Sequence, residues 1–143
     1  MDAPPDLDAI RAALQRDLTI DIVTTGARTG QARETEIWFV NIDGGIYICG
    51  TPSSDGSPGR RAGRDWLANM VANPEFEFCL KESMHARVPA RAEVVTDLAE
   101  RARVMQAPET RWYRDQVNSI EHLIEEAPIV RVRFVGDFAE LNG

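Results

Sequence analysis

From Leu18 to Gly50 the chain changes side at every second residue, in three short runs separated by two glycine-containing turns. In the first run Leu18, Ile20 and Ile22 share a face. In the second, Glu34 to Ile42, the residues Thr35, Ile37 and Phe39 oppose Glu34, Glu36, Trp38 and Val40. A two-residue period is that of a strand with one buried and one solvated face. Asp43-Gly44, leading into Ile46 to Gly50, is a strong hairpin signal. The opening of the chain therefore reads as an antiparallel meander of three strands.

The flanking sequence supplies helices and further strands. Leu7 to Arg16 has helical spacing, with Leu7, Ile10, Ala13 and Leu14 on one side. A short helix is expected from Arg64 to Val71, ended by Asn73-Pro74. Phe76, Phe78 and Leu80 then alternate with charged neighbours in a half-buried strand. Another strand runs through Ala86, Val88, Ala90, Ala92 and Val94, where Pro89 argues for an edge position or a bulge. Asp97 and Glu100 have capping-box spacing and open a helix to Met105. A longer helix is expected from Thr110 to Glu126, and a final strand from Ile129 to Val135. The order βββ-α-ββ-αα-β is α+β, and six antiparallel strands of this length close into a small barrel with flanking helices. With 143 residues and no repeat or linker, residues 1–143 read as one domain.

Several functions are excluded by composition. The chain carries 16 Lys and Arg against 23 Asp and Glu, a formal charge of −7, so a general nucleic-acid partner is not expected. No apolar run approaches the ~20 residues of a membrane span. The N-terminus has neither the basic region nor the apolar core of a leader, which makes a cytoplasmic location the expectation. Cys49 and Cys79 lie inside strand-type runs with no CxxC pair and read as buried structural thiols. His85 and His122 lack ligand spacing, so no metal is expected. No G-x-S-x-G or P-loop offers hydrolase chemistry, and no catalytic residue is assigned.

Against that acidic background the turn Thr24-Thr25-Gly26-Ala27-Arg28-Thr29-Gly30-Gln31-Ala32-Arg33 stands out. Two arginines, several hydroxyls and flexible N–H groups are what a phosphate or carboxylate site requires, although a solvated hairpin has similar composition. Thr51 to Gly63 is too long and irregular for an ordinary connection and reads either as a lid or as disorder. Arg60, Arg61 and Arg64 follow as a solvated run or a second anion clamp. The aromatic side chains of Trp38 and Tyr113 are candidates for a substrate wall.

The basic turn resembles the T-T-G-R-K-[ST]-G-x-P-R-x-[TP] signature of the deazaflavin-dependent nitroreductases and quinone reductases. Arg64-Asp65-Trp66-Leu67-Ala68-Asn69, followed by Asn73-Pro74-Glu75-Phe76-Glu77-Phe78, is similar to that family's [PR]-x-W-x-x-N…A-N-P block. The resemblance covers most of Leu18 to Leu80 and is strongest to a short branch of the FMN-binding split-barrel superfamily. It implies a six-stranded split β-barrel, a homodimer, and a reductase passing hydride to a quinone-like or nitroaromatic small molecule. It further implies that Arg28, Thr29, Gly30 and Arg33 hold the cofactor's phosphate and that Cys49, Gly50 and Thr51 lie along the cofactor. Arg64, Trp66 and Asn69 would flank it. Ala27 and Ala32 stand where the family has arginine and proline, which leaves coenzyme F-420 or FMN as the expected cofactor. The alternative carried alongside is a non-catalytic barrel binding a flavin, haem or other anion.

Overall fold

The strand expected over Glu34 to Ile42 forms as two, and the break between them organises the whole sheet. The computed structural model describes residues 5–52 and 65–142. Its strands are β1 (Thr19–Thr25), β2 (Ala32–Trp38), β3 (Val40–Ile42), β4 (Gly45–Cys49), β5 (Glu75–Leu80), β6 (Ala86–Val94) and β7 (Ile129–Phe134). They form one sheet in the order β2-β1-β5-β6-β7-β4-β3. Every pairing is antiparallel. The two ends of that order, β2 and β3, are separated in sequence only by Phe39. The sheet thus curls until its edges are continuous through one residue, a split barrel of the expected α+β class. It has seven strands where six were expected because one strand serves both edges.

Phe39 holds the split. Its N–H donates to the Leu18 carbonyl at 3.0 Å, and its ring is buried edge-on to Phe78 with centroids 5.3 Å apart. Phe78 meets Phe134 in the same way at 5.3 Å. Past this point Val40, expected on the face opposite Phe39, and Ile42 point into a second core.

The first core fills the barrel. Ile20, Ile22, Ile48, Phe76, Phe78, Val88, Val130 and Val132 point inward, and its ends are covered by α1 (Leu7–Arg16) and α2 (Asp65–Ala72). The Asp6 side chain caps α1 by accepting from the Ala9 N–H at 3.1 Å. The second core lies outside β3, β4 and β7, beneath α3 (Leu98–Gln106), α4 (Arg111–Asp115) and α5 (Ile120–Glu126). Strands β4 and β7 are consequently buried on both faces, with Cys49 and Ile129 in the outer core and Ile48 and Val130 in the inner. Among the described residues no helix is long and apolar enough to cross a membrane.

Four local expectations need correction. Leu18 lies before β1 and is 66% exposed. At the far end of β6, Val94 faces out and Val95 is buried instead, because Val95 leaves the strand and bonds the Ile129 carbonyl. Pro89 sits neither at an edge nor in a bulge: β6 lies between β5 and β7 in unbroken register. Its carbonyl accepts from Val135 just past the end of β7, and its missing N–H faces the Val135 carbonyl, which accepts instead from the Phe138 N–H at 3.2 Å. The helix expected from Thr110 to Glu126 is two, α4 and α5, because Ser119 caps a new start by accepting from the His122 N–H at 3.2 Å. The closing 3-10 turn, Gly136–Asn142, has no counterpart among the sequence expectations.

Helix α3 fastens the helical layer to the sheet with two adjacent residues. The Arg101 guanidinium is buried and donates to the carbonyls of Ile124, Val95 and Ala127 at 2.6, 2.8 and 2.6 Å. Glu100 accepts from Arg131 of β7 and, at 2.8 Å, from the Tyr47 hydroxyl of β4. Burial pushes the Glu100 carboxyl up, but the hydrogen bonds from Arg131 and Tyr47 outweigh it and leave it below the usual range. A carboxyl lowered in the folded state adds stability above its unfolded value, about 4.3, that disappears as pH falls through the folded value. The Glu100→Gln variant, which keeps the shape without the charge, should lose less stability than wild type between neutral pH and about pH 3. Urea melts at both pH values measure this; equal losses would count against the network.

Candidate functional site

The basic turn connects β1 to β2 and is built on its glycines. Gly30 has φ +70°, which costs a side chain strain, and a Cβ on Gly26 would lie 2.8 Å from the Thr29 hydroxyl. Gly26 N–H donates to the Gln31 carbonyl at 2.8 Å, Gly30 N–H to the Gly26 carbonyl at 2.9 Å, and Gln31 N–H to the Thr29 hydroxyl at 3.2 Å. The N–H groups of Arg28 and Thr29 have no partner among the described residues. Arg28 and Arg33 are exposed and form no ion pair there, whereas Lys81, Arg87, Arg91, Arg111, Arg131 and Arg133 are all paired. Two guanidiniums, two free N–H groups and a hydroxyl on one short turn make a donor set suited to an anion.

Helix α2 packs beside this turn. Trp66 and Met70 go into the barrel core at 5% and 1% exposure, so the indole of Trp66 lies in packing. Asn69, one turn from Trp66 on the same inward face, reaches the turn, accepting from the Ala27 N–H at 2.9 Å and donating to the Thr24 hydroxyl at 3.3 Å. The structure therefore brings Arg28, Thr29, Gly30, Arg33 and Asn69 into one neighbourhood. Arg60, Arg61, Arg64 and all of the Thr51–Gly63 loop beyond Pro52 lie outside the described residues.

A second group forms around the end of β4. Trp38 and Trp112 are both about half exposed and meet edge-on with centroids 5.3 Å apart; Trp112 meets Tyr113 at 5.2 Å. The buried Tyr113 hydroxyl donates to the Cys49 carbonyl at 3.4 Å, and burial raises its pKa, so it stays a neutral donor. Next along the chain, Gly50 N–H donates to the Pro128 carbonyl at 3.0 Å, and a Cβ on Gly50 would come within 3.3 Å of the Pro128 ring. Thr51 follows, half-buried. Trp38, Tyr113 and Cys49 are thus linked through Trp112. Reading the sequence for site residues missed Trp112 as that link, and missed Asn73, whose amide donates to the Thr25 carbonyl at 3.4 Å. The four-residue spacing of Asn69 and Asn73 on one helical face was the available signal.

A cleft between the β3–β4 turn and the C-terminal 3-10 turn, lined by Gly44, Ile46, Arg133, Phe134 and Leu141, holds only about 40 Å³. That is room for a water, not for a fused ring system. Among the described residues no three His, Cys, Asp or Glu side chains gather as a metal site would.

Comparison with known proteins bears on the family and the fold. A family model described as F420H(2)-dependent quinone reductase matches residues 10–132. A solved structure called F420 reductase is 15% identical with a TM-score of 0.55, covering 88% of this chain and 93% of its own. An FAD-binding protein from Mesorhizobium loti is 14% identical at TM-score 0.54, covering 92% and 91%. HutZ, the heme storage protein from Vibrio cholerae, is 14% identical at TM-score 0.56, covering 90% and 89%. These structures share the fold. No curated protein sequence matches the chain significantly.

The geometry also sets the reactivity of Cys49. Burial pushes its thiol up to about 12, with the Arg101 charge opposing only in part. At about pH 8 it should stay protonated and inert. In Cys79→Ser protein, a thiol-disulfide reagent should find no reactive sulfur in the native state and the Cys49 thiol only after unfolding. Rapid native labelling would show that the end of β4 is more open than its packing indicates.

Proposed function

The chain belongs to the F420H(2)-dependent quinone reductase family, and we propose that it transfers hydride from a reduced deazaflavin, coenzyme F-420, or a reduced flavin to a quinone-like or nitroaromatic acceptor. The observation that carries this reading is the β1–β2 turn, where two unpaired guanidiniums and two free N–H groups sit on an otherwise acidic protein. Cofactors of this class carry a phosphate on the side chain attached to their ring system, and the donor set fits one.

In this reading Arg28, Arg33, the Thr29 hydroxyl and the flexible backbone at Gly30 hold the phosphate. The end of β4, from Cys49 through Gly50 to Thr51, runs beside the bound molecule, and Arg64 adds a further charge. Trp38 and Tyr113 belong to the acceptor's side. The bound cofactor supplies the hydride chemistry. The proton completing reduction of a quinone to a hydroquinone comes from water, which is consistent with a site offering no dedicated acid. A homodimer in the cytoplasm belongs to the same proposal, and the half-exposed Trp38 and Trp112 provide apolar surface for it.

Titration of the apo-protein with coenzyme F-420, FMN, FAD and haem tests the cofactor directly. Tight binding of a deazaflavin or flavin, followed by oxidation of its reduced form on adding menadione or a nitroaromatic, is the expected result. Binding without turnover would favour a storage role. Arg28→Ala and Arg33→Ala should each remove charge-assisted bonds of about 1.5–3 kcal/mol, weakening the cofactor about ten- to a hundredfold with stability little changed.

A further inference from the structure

We infer that Asn69 and Asn73 are positioning residues, an amide clamp that sets the basic turn in its receiving shape before a ligand arrives. This rests on the proposed function for what the turn receives. Both asparagines face one side of α2 and its C-terminal continuation, and the Asn73 N–H donates to the Asn69 carbonyl at 2.8 Å, which keeps their side chains one helical turn apart. Between them they hold Thr24, Thr25 and Ala27. Trp66 and Met70, neighbours of the asparagines on the same inward face of α2, are packed into the barrel core, so the clamp is mounted on a packed element.

The choice of partners matters for binding. The bonds inside the turn, from Gly26 to Gln31 and from Gly30 to Gly26, close the loop on itself but do not fix its tilt against the barrel. Asn69 does that, and by occupying the Ala27 N–H it leaves the next two, those of Arg28 and Thr29, as the free donors. Both polar ends of the Asn69 amide are engaged by the protein, the oxygen by Ala27 and the nitrogen by Thr24. Its contribution to a ligand therefore runs through the turn. A turn ordered in advance spares the ligand the entropy of ordering it.

The test uses Asn69→Ala, the milder Asn73→Ala, and Arg28→Ala as a contrast, with amide hydrogen exchange over residues 24–33 and titration with FMN and coenzyme F-420. Asn69→Ala should speed exchange in the turn and weaken cofactor about tenfold, raising KM for the reduced cofactor while kcat at saturation holds. Asn73→Ala should do the same more weakly. Arg28→Ala should weaken binding without altering exchange. Lost affinity in Asn69→Ala with unchanged exchange would mean that Asn69 touches the ligand itself, and faster exchange with unchanged affinity would mean that the turn's order is irrelevant to binding; either overturns the clamp. Should Arg28→Ala and Arg33→Ala bind like wild type, or wild type bind neither cofactor, the anion reading fails and the clamp's role in binding falls with it.

Discussion

This sheet brings its two edges together because one stretch of chain belongs to both, and the join falls on a single residue. At Phe39 the chain leaves β1 and joins β4, so one residue ends the first half of the barrel and begins the second. The ring of Phe39 is what makes the jump stable: it fills the barrel between strands and leads an edge-to-face series through Phe78 to Phe134. Everything functional is placed relative to this point. The basic turn sits at one end of β2 and Trp38 at the other, immediately before the jump, while β4 delivers Cys49 and Gly50 to the same flank as Tyr113.

Much of the fold was legible because the periodicity is local. The first helix, the Asp97 cap, the strand at Phe76 to Leu80 and the inward residues of β7 all follow from spacing that a neighbouring residue decides. The jump at Phe39 was not legible, since Ile37, Trp38, Phe39 and Val40 form an apolar run in which a change of face leaves no trace. Pro89 misled for a related reason. Whether a missing N–H matters depends on where β7 stops, and that is a property of residues more than forty positions away. The division between α4 and α5 was not legible either, because a serine within a helical stretch reads equally as a solvated helical residue until its side chain is seen to cap the His122 N–H.

The candidate site divides along the same line. Arginines and glycines of the turn announce themselves in sequence because their chemistry is intrinsic. The partnership of Asn69 with Ala27 spans 42 positions and becomes evident only once α2 is laid beside β1. The partners of charged groups are equally non-local: Glu100 and Arg101 are neighbours on α3, yet one reaches β4 and β7 while the other gathers the carbonyls of Val95, just past β6, and of Ile124 and Ala127 at the end of α5. Neither destination could be assigned from the helix that carries them.

One small arrangement near the C-terminus has a wider consequence. The Asn142 side chain accepts from the Phe134 N–H and donates to the Phe134 carbonyl, both at 2.8 Å, where β4 has already turned away. A side-chain amide there completes a rung that backbone would otherwise leave open. Since unpaired rungs are what invite a foreign strand, this one residue helps keep the barrel from templating its own aggregation.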